Sequence, residues 1–167
     1  MNPKKMLKGR KILIVDDEKD ILDSLIELLE MCRIDTATTF EEGKRLLEEE
    51  VYDVAILDIM GVNGFELLDI ANKHNIPAVM LTAHALSEES LKRSAKNGAS
   101  YFAPKDEIES IDLFVADVLE ATEKKKNPWV KWFERLGGFY DKRFHGTNWR
   151  DQEKEFWEEK LKKLSDL

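Results

Sequence analysis

Short apolar runs alternate with amphipathic helical stretches over the first 123 residues of this 167-residue chain. Ile12–Val15, Val54–Leu57 and Ala78–Leu81 are each four apolar residues long, which is typical of buried strands rather than of helices. Parallel strands need a crossover between them, and that crossover is usually a helix. The alternation therefore predicts an α/β fold in which one parallel sheet is covered by helices on both faces.

The same pattern predicts five strands and five helices. We expect strands at residues 11–15, 35–39, 53–57, 77–81 and 100–103. We expect helices around residues 21–29, 40–50, 64–73, 87–97 and 108–122, and Ile21, Leu22, Leu25, Ile26 and Leu29 fall on one face of the first. Ser87 is suited to the N-cap of the fourth helix, and Gly98 follows its end.

Polar side chains follow the ends of four predicted strands. Asp16 and Asp17 follow the first apolar run, Asp58 and Thr82 follow the next two, and Lys105 comes just beyond the last strand. In an open α/β sheet, ligands bind in the crevice outside the carboxyl ends of the strands. We therefore expect three acids, one hydroxyl and one ammonium to meet at a single site.

This combination of groups suits phosphoryl transfer. Clustered carboxylates without His or Cys are ligands for Mg²⁺, which also accepts phosphate oxygens. A carboxylate can act as the nucleophile and form an acyl phosphate. Mg²⁺ and Lys105 would supply positive charge to the phosphoryl oxygens, and Thr82 could donate a hydrogen bond to one of them.

Four motifs resemble the receiver domain of bacterial two-component response regulators, the chemotaxis receivers included. They are Ile14-Val15-Asp16-Asp17-Glu18, Leu57-Asp58-Ile59-Met60, Leu81-Thr82-Ala83, and Gly98-Ala99-Ser100 ahead of Lys105. The resemblance covers roughly residues 10–123. It implies a flavodoxin-like, doubly wound sheet of five parallel strands in the order 2-1-3-4-5.

The resemblance also implies a role for each matching residue. Asp58 would be the phosphoacceptor, with a sensor histidine kinase as the donor. The Mg²⁺ ligands would be Asp17, Asp58 and the Met60 carbonyl, with Asp16 acting through water. Thr82 and Lys105 would contact the phosphoryl group, and Thr82 and Phe102 would form the switch. Such a domain catalyses only its own phosphotransfer and dephosphorylation.

Two departures from the family pattern keep other functions open. Receivers usually have Pro directly after the lysine, often with a cis bond, whereas here Asp106 follows Lys105 and Pro104 precedes it. The loop after Asp58 is about two residues short, with Gly61 in place of the usual Pro. These features fit a pseudo-receiver that acts as a constitutive interaction module. A metal-dependent phosphohydrolase is a weaker alternative, because such enzymes usually have a second Asp where Met60 stands.

Residues 124–167 differ in composition and form an aromatic C-terminal extension, which contains all four tryptophans of the chain. Trp129, Trp132, Phe133 and Leu136 have helical spacing, and Gly137-Gly138 should end that helix. Thr147 or Asn148 is suited to cap a second helix with Phe156, Trp157, Leu161 and Leu164 on one face. We expect this extension to pack on the receiver and gate it, or to form a helix-in-groove or dimer contact.

Charge and length limit the partners. Residues 1–123 carry 14 Lys and Arg against 26 Asp and Glu, and residues 124–167 carry 12 against 8. This balance does not indicate nucleic-acid binding, and 44 residues are too few for a DNA-binding domain. Residues 1–10 form a basic leader without the apolar run of a signal peptide, and no stretch is apolar enough for a membrane span. We therefore expect a cytoplasmic protein without membrane contact, with an unnamed downstream protein partner and the option of a homodimer.

Overall fold

The computed structural model describes residues 2–83, 87–143 and 154–162. Five parallel strands form one sheet in the order β2-β1-β3-β4-β5, as predicted. The strands are β1 (Lys11–Val15), β2 (Arg33–Ala37), β3 (Val54–Asp58), β4 (Ala78–Thr82) and β5 (Tyr101–Pro104). The fold class is therefore the expected flavodoxin-like α/β fold.

Helices connect consecutive strands and continue beyond the sheet. They are α1 (Pro3–Leu7), α2 (Lys19–Leu28), α3 (Phe40–Glu49), α4 (Gly64–Lys73), α5 (Glu88–Lys96), α6 (Ile111–Lys124), α7 (Pro128–Arg143) and α8 (Lys154–Lys162). The Ser87 side chain caps α5 by accepting from the Ser90 amide at 3.0 Å, as expected. A 3₁₀ turn at Lys105–Ser110 precedes α6, so the last helix of the α/β unit starts three residues later than predicted.

Strand β2 lies two residues earlier than the predicted range 35–39. Arg33 is paired with Lys11 of β1, and Ala37 is paired with Val15. Thr39 is used instead to begin α3, because its hydroxyl accepts from the amide of Glu42 at 3.2 Å. Because Thr39 caps the helix, it does not belong to β2, which ends at Ala37.

The core lies on both faces of the central strands. β3 and β4 are buried along their whole length, and so are Ile12–Val15 of β1. Leu22 and Leu25 of α2 pack into this core, but Ile26, predicted on the same face, is 41% exposed. Residues 22, 25 and 29 fall on one stripe of the helix, and residue 26 lies at its margin.

The basic leader contains helix α1, which the sequence did not predict. Asn2 caps it by accepting from the amides of Lys4 and Lys5, and its Leu7 is fully buried. The thiol of Cys32 donates to the Leu7 carbonyl at 3.5 Å. The half-buried Cys32 therefore packs at the boundary of the core.

Helix α7 continues through Gly137-Gly138, so the prediction that these glycines end it was wrong. Each glycine costs a helix about 1 kcal/mol relative to alanine. Beyond them, however, Tyr140 is fully buried and stacks on Trp132 with ring centroids 5.3 Å apart. This packing offsets the cost of the glycines. In α8, Trp157 is buried with Phe156 and Leu161 beside it, while Thr147, Asn148 and Leu164 lie outside the described residues.

Candidate functional site

The predicted polar residues lie at one edge of the sheet because the strands are parallel and in register. Val15 pairs with Leu57, so Asp16 and Asp58 both follow at the carboxyl ends of β1 and β3. Asp58 pairs with Leu81, and Thr82 pairs with Pro104, the residue before Lys105. The register alone therefore brings the chain positions of all five groups to one edge.

Lys105 connects the carboxylates at this edge. Its ammonium nitrogen lies 2.9 Å from Oδ2 of Asp16, 3.3 Å from Oδ1 of Asp58 and 3.1 Å from Oε1 of Glu18. The Lys105 side chain is only 8% exposed, and the side chains of Asp16 and Asp58 are 0% and 4% exposed. A buried cation therefore compensates two buried acids, which would otherwise be costly to desolvate.

Burial determines the ionisation of Asp58. Burial is the largest cause that raises the pKa of this carboxyl, the negative charges of Asp16 and Asp17 add to the increase, and Lys105 opposes it. Together these effects place the pKa at about 7. Burial likewise raises the pKa of Asp16, against the lowering effects of the Glu18 amide and Lys105. The two acids therefore repel each other in a desolvated setting, a condition that a bound cation would relieve.

The pKa of Lys105 is also raised, but by its carboxylate partners and not by burial. Burial by itself lowers its pKa, but the bonds to Asp16 and Glu18 and the charge of Asp58 outweigh burial and raise it. The side chain is therefore a fixed positive charge at neutral pH. The Asp106 that replaces the family's proline does not prevent this position, and no cis peptide bond occurs among the described residues.

Asp16, Asp17 and Glu18 together offer a candidate set of metal ligands. One carboxylate oxygen from each lies within 4.8 Å of the others, with Asp16 buried and the other two exposed. The amide of Glu18 also donates to Oδ1 of Asp16 at 2.9 Å, which orients that carboxylate. Sequence reasoning assigned no role to Glu18, although its place directly after the Asp pair was a usable signal.

The loop after Asp58 depends on two glycines. Gly61 has φ +79°, and a Cβ there would lie 2.6 Å from both carboxylate oxygens of Asp17. A Cβ on Gly64 would lie 2.2 Å from the Asp58 carbonyl oxygen. The short loop therefore folds closely over the acidic edge only because both residues lack side chains.

The backbone carbonyl of Met60 lies in this loop. It accepts a hydrogen bond from the Val62 amide at 2.9 Å, and the Met60 side chain is 67% exposed. The hydrogen bond from Val62 uses one lone pair of the carbonyl oxygen, and the second is available to a metal ion. Metal binding by the Met60 carbonyl therefore stays a prediction.

The two residues predicted to form the switch are both buried. Thr82 is 4% exposed and ends β4, and Phe102 is 0% exposed within β5. The Phe102 ring lies 5.5 Å from that of Tyr140 in α7. Phe102 is thus enclosed by the C-terminal extension, which sequence reasoning did not connect with it.

Comparison with known proteins agrees with this geometry. The sequence model of the response regulator receiver domain matches residues 12–116, which is more than half of the chain. The chain belongs to the response regulator receiver family. It is a regulatory domain of the two-component type, and the match ends before α7 and α8.

Relatives of this receiver support the same assignment. The heme response regulator HssR of Staphylococcus aureus (strain Newman) is 40% identical over 83 residues, which cover 46% of this chain and 37% of HssR. The receiver thus spans little more than a third of the curated relatives it matches. The receiver domain of Francisella response regulator 1452 is 26% identical with a TM-score of 0.61, over 68% of this chain and 99% of that one. A CheY-like receiver protein from Methanospirillum hungatei JF-1 is 30% identical with a TM-score of 0.56, over 68% and 98%.

The acidic edge agrees with membership of the receiver family. Receiver domains generally bind Mg²⁺ in an acidic pocket, and histidine kinases phosphorylate response regulators.

Within the described ranges, every helix is too short or too polar to serve as a bilayer-spanning segment.

Proposed function

We propose that this receiver accepts a phosphoryl group on Asp58 from a sensor histidine kinase, with Mg²⁺ as cofactor, and so switches a protein–protein interaction surface. One observation carries the proposal. Lys105 follows the edge strand β5, yet its ammonium lies 3.3 Å from Asp58 and 2.9 Å from Asp16 in a nearly buried site. A lysine with only a structural role at the surface would keep its hydration, because removing its charge from water costs free energy.

The donor atoms present suit Mg²⁺. Asp16, Asp17 and Asp58 are its proposed ligands, with the Met60 carbonyl as a further one, and Glu18 belongs to the same group of oxygens. Hard oxygen donors and crowded buried carboxylates with raised pKa values both favour a small divalent cation. When bound, the ion neutralises negative charge on the transferred phosphoryl group.

The chain's own residues supply the remaining chemistry. A carboxylate oxygen of ionised Asp58 attacks phosphorus, the bond from phosphorus to the donor's leaving group breaks, and an acyl phosphate results. Lys105 offers its ammonium to the phosphoryl oxygens from the position it already holds beside Asp58. Thr82, at the next strand end, is the proposed hydroxyl donor to the phosphoryl group.

Phosphorylation by a small donor tests this proposal. With Mg²⁺ and acetyl phosphate, the intact chain should gain one acid-labile phosphoryl mass, and Asp58→Asn should gain none. Asp53→Asn is the matched control, because Asp53 precedes the first residue of the same strand at the opposite end of the sheet. Asparagine there can still accept the bond from the Lys11 amide. Labelling of Asp58→Asn at the wild-type level would reject Asp58 as the acceptor.

The phosphoryl mass tests the pseudo-receiver alternative, and an assay of phosphate release tests the phosphohydrolase alternative. A pseudo-receiver would gain no phosphoryl mass in any form of the chain. A phosphohydrolase would release inorganic phosphate from an unrelated phosphomonoester, which this proposal does not expect. The cytoplasmic location, the lack of nucleic-acid binding, the downstream partner and a homodimer all stay predictions.

A further inference from the structure

The C-terminal extension is hydrogen-bonded to strand β5, the strand that leads into Lys105. The indole N–H of Trp132 donates to the Phe102 carbonyl at 2.7 Å, and that of Trp129 donates to the Ala99 carbonyl at 3.1 Å. The Phe102 carbonyl belongs to β5, which is the edge strand of the sheet, and the Ala99 carbonyl lies two residues before β5 begins. The extension therefore covers an edge whose polar groups would otherwise lack protein partners.

Aromatic packing reinforces this contact. The Tyr140 ring lies between Phe102 and Trp132, with centroid distances of 5.5 and 5.3 Å. Trp157 of α8 also stacks on Trp132, with ring centroids 6.2 Å apart and an angle of 6° between the two planes. Phe102 is thus packed against the extension through both its backbone and its ring.

Polar contacts attach the extension on both sides of β5. On one side, Arg135 of α7 pairs with the buried carboxylate of Asp117 in α6, and the Tyr101 hydroxyl donates to the same carboxylate at 3.2 Å. On the other side, Lys160 of α8 donates to the Ala95 carbonyl of α5 at 2.7 Å. These contacts attach α7 to α6 and α8 to α5, and so keep the extension packed on β5.

The path from this contact to the proposed phosphorylation site is short. Lys105 directly follows β5 and lies three residues after Phe102. The 3₁₀ turn that begins at Lys105 is irregular, with Glu107 at φ −110° and ψ 19°, and no proline follows the lysine. The position of the Lys105 ammonium therefore depends on where β5 is held.

We propose that Trp132 and Arg135 are positioning residues for Lys105, so that docking of the extension and phosphorylation of Asp58 favour each other. This inference rests on the proposed function. The docked extension fixes β5 where Lys105 reaches Asp58, and a phosphoryl group on Asp58 adds negative charge that holds Lys105 there. Because binding linkage is reciprocal, each event strengthens the other by the same factor.

Beryllofluoride, a mimic of the phosphoryl group, measures the coupling in the full chain. We expect Trp132→Phe and Arg135→Gln to weaken its Mg²⁺-dependent binding, followed by ¹⁹F NMR, by about fivefold or more, the lower range of allosteric coupling. Lys131→Gln is the matched control, since Lys131 lies on the same helix but pairs only with the exposed Glu134 among the contacts described. Wild-type affinity in folded Trp132→Phe and Arg135→Gln would overturn the proposal.

The reciprocal measurement needs no variant. Hydrogen exchange of the indole N–H groups, read by NMR, reports the extension alone, because no tryptophan precedes residue 129. Saturating beryllofluoride should slow exchange at Trp132 about fivefold or more. Unchanged exchange would overturn the proposal. Because this measurement uses the wild-type chain, it tests the proposal even if Trp132→Phe or Arg135→Gln fails to fold. If the wild-type chain does not bind the mimic at all, the proposed function fails and this inference fails with it. Binding without coupling rejects the inference only.

Discussion

Arg135 of α7 holds the carboxylate of Asp117 in α6, with Nη2 of the arginine 3.1 Å from Oδ1 of the acid. The Asp117 side chain is fully buried, whereas that of Arg135 is 30% exposed. The family match ends at residue 116, so a charge at the edge of the matched region is compensated by a helix outside it. α7 therefore belongs to the folded receiver in this chain and is not a loosely attached tail.

The burial difference predicts unequal costs for the two partners. Arg135→Gln leaves an anion buried without its cation, and we expect it to lower the free energy of unfolding by about 2–3 kcal/mol. Asp117→Asn leaves a cation that can turn to water, and its cost should be about 1 kcal/mol smaller. Urea denaturation of both variants at pH 7.5 measures this difference. Equal costs would mean that the buried charge is not what makes the pair important.

Gly61 predicts a direct link between loop shape and metal binding. Gly61→Ala would place a methyl group 2.6 Å from the Asp17 carboxylate at a backbone φ of +79°. We expect Mg²⁺ affinity to fall about tenfold, because Asp17 must move, and stability to fall by about 1 kcal/mol from backbone strain. Titration of Mg²⁺ by calorimetry checks the first effect. Unchanged affinity would show that Asp17 is not a ligand.

Gly138 is the contrasting glycine. No heavy atom lies within 4 Å of a Cβ placed there, and the residue lies inside α7. Gly138→Ala should therefore stabilise the protein by about 0.5–1 kcal/mol through helix propensity, while Mg²⁺ affinity stays at the wild-type value. A loss of stability would indicate that α7 needs flexibility at this point.

The sequence predicted the parts of the site that depend on strand order. Asp58 and Thr82 end a strand and Asp16 and Lys105 directly follow one, and parallel pairing brings strand ends together whatever the loops do. The same reasoning could not place Phe102 against Tyr140, since the two residues lie on different elements with no periodic relation. It also failed at Gly137-Gly138, where local propensity opposed helix and tertiary packing prevailed.

The contacts of the extension were beyond sequence reasoning for a similar reason. Helical spacing of Trp129 and Trp132 predicts an apolar face, and this prediction is confirmed. The hydrogen bonds from the two indoles to β5 and to Ala99 just before it require knowledge of which sheet edge is open. That α7, rather than a second protein, covers this edge follows only from the three-dimensional structure.

The raised pKa of Asp58 predicts how metal binding depends on pH. Burial and the negative charges of Asp16 and Asp17 outweigh Lys105 and raise this pKa from 3.8 to about 7, so at pH 6 the metal-free folded protein holds a proton that the unfolded chain has lost. The contribution of Asp58 to stability therefore falls as pH rises from about 4 to 7, which is the sign for an acid with a raised pKa.

Mg²⁺ must displace that proton before Asp58 can act as a ligand. We expect Mg²⁺ affinity to increase about tenfold between pH 6 and pH 7.5, with release of close to one proton at pH 6. Calorimetry in two buffers of different ionisation enthalpy counts the released protons. In Asp58→Asn both the pH dependence and the proton release should largely disappear, and metal-free stability at pH 8 should rise by on the order of 1 kcal/mol because no anion is buried. Wild-type Mg²⁺ affinity that stays constant from pH 6 to pH 7.5 would show that Asp58 is already ionised before the metal binds.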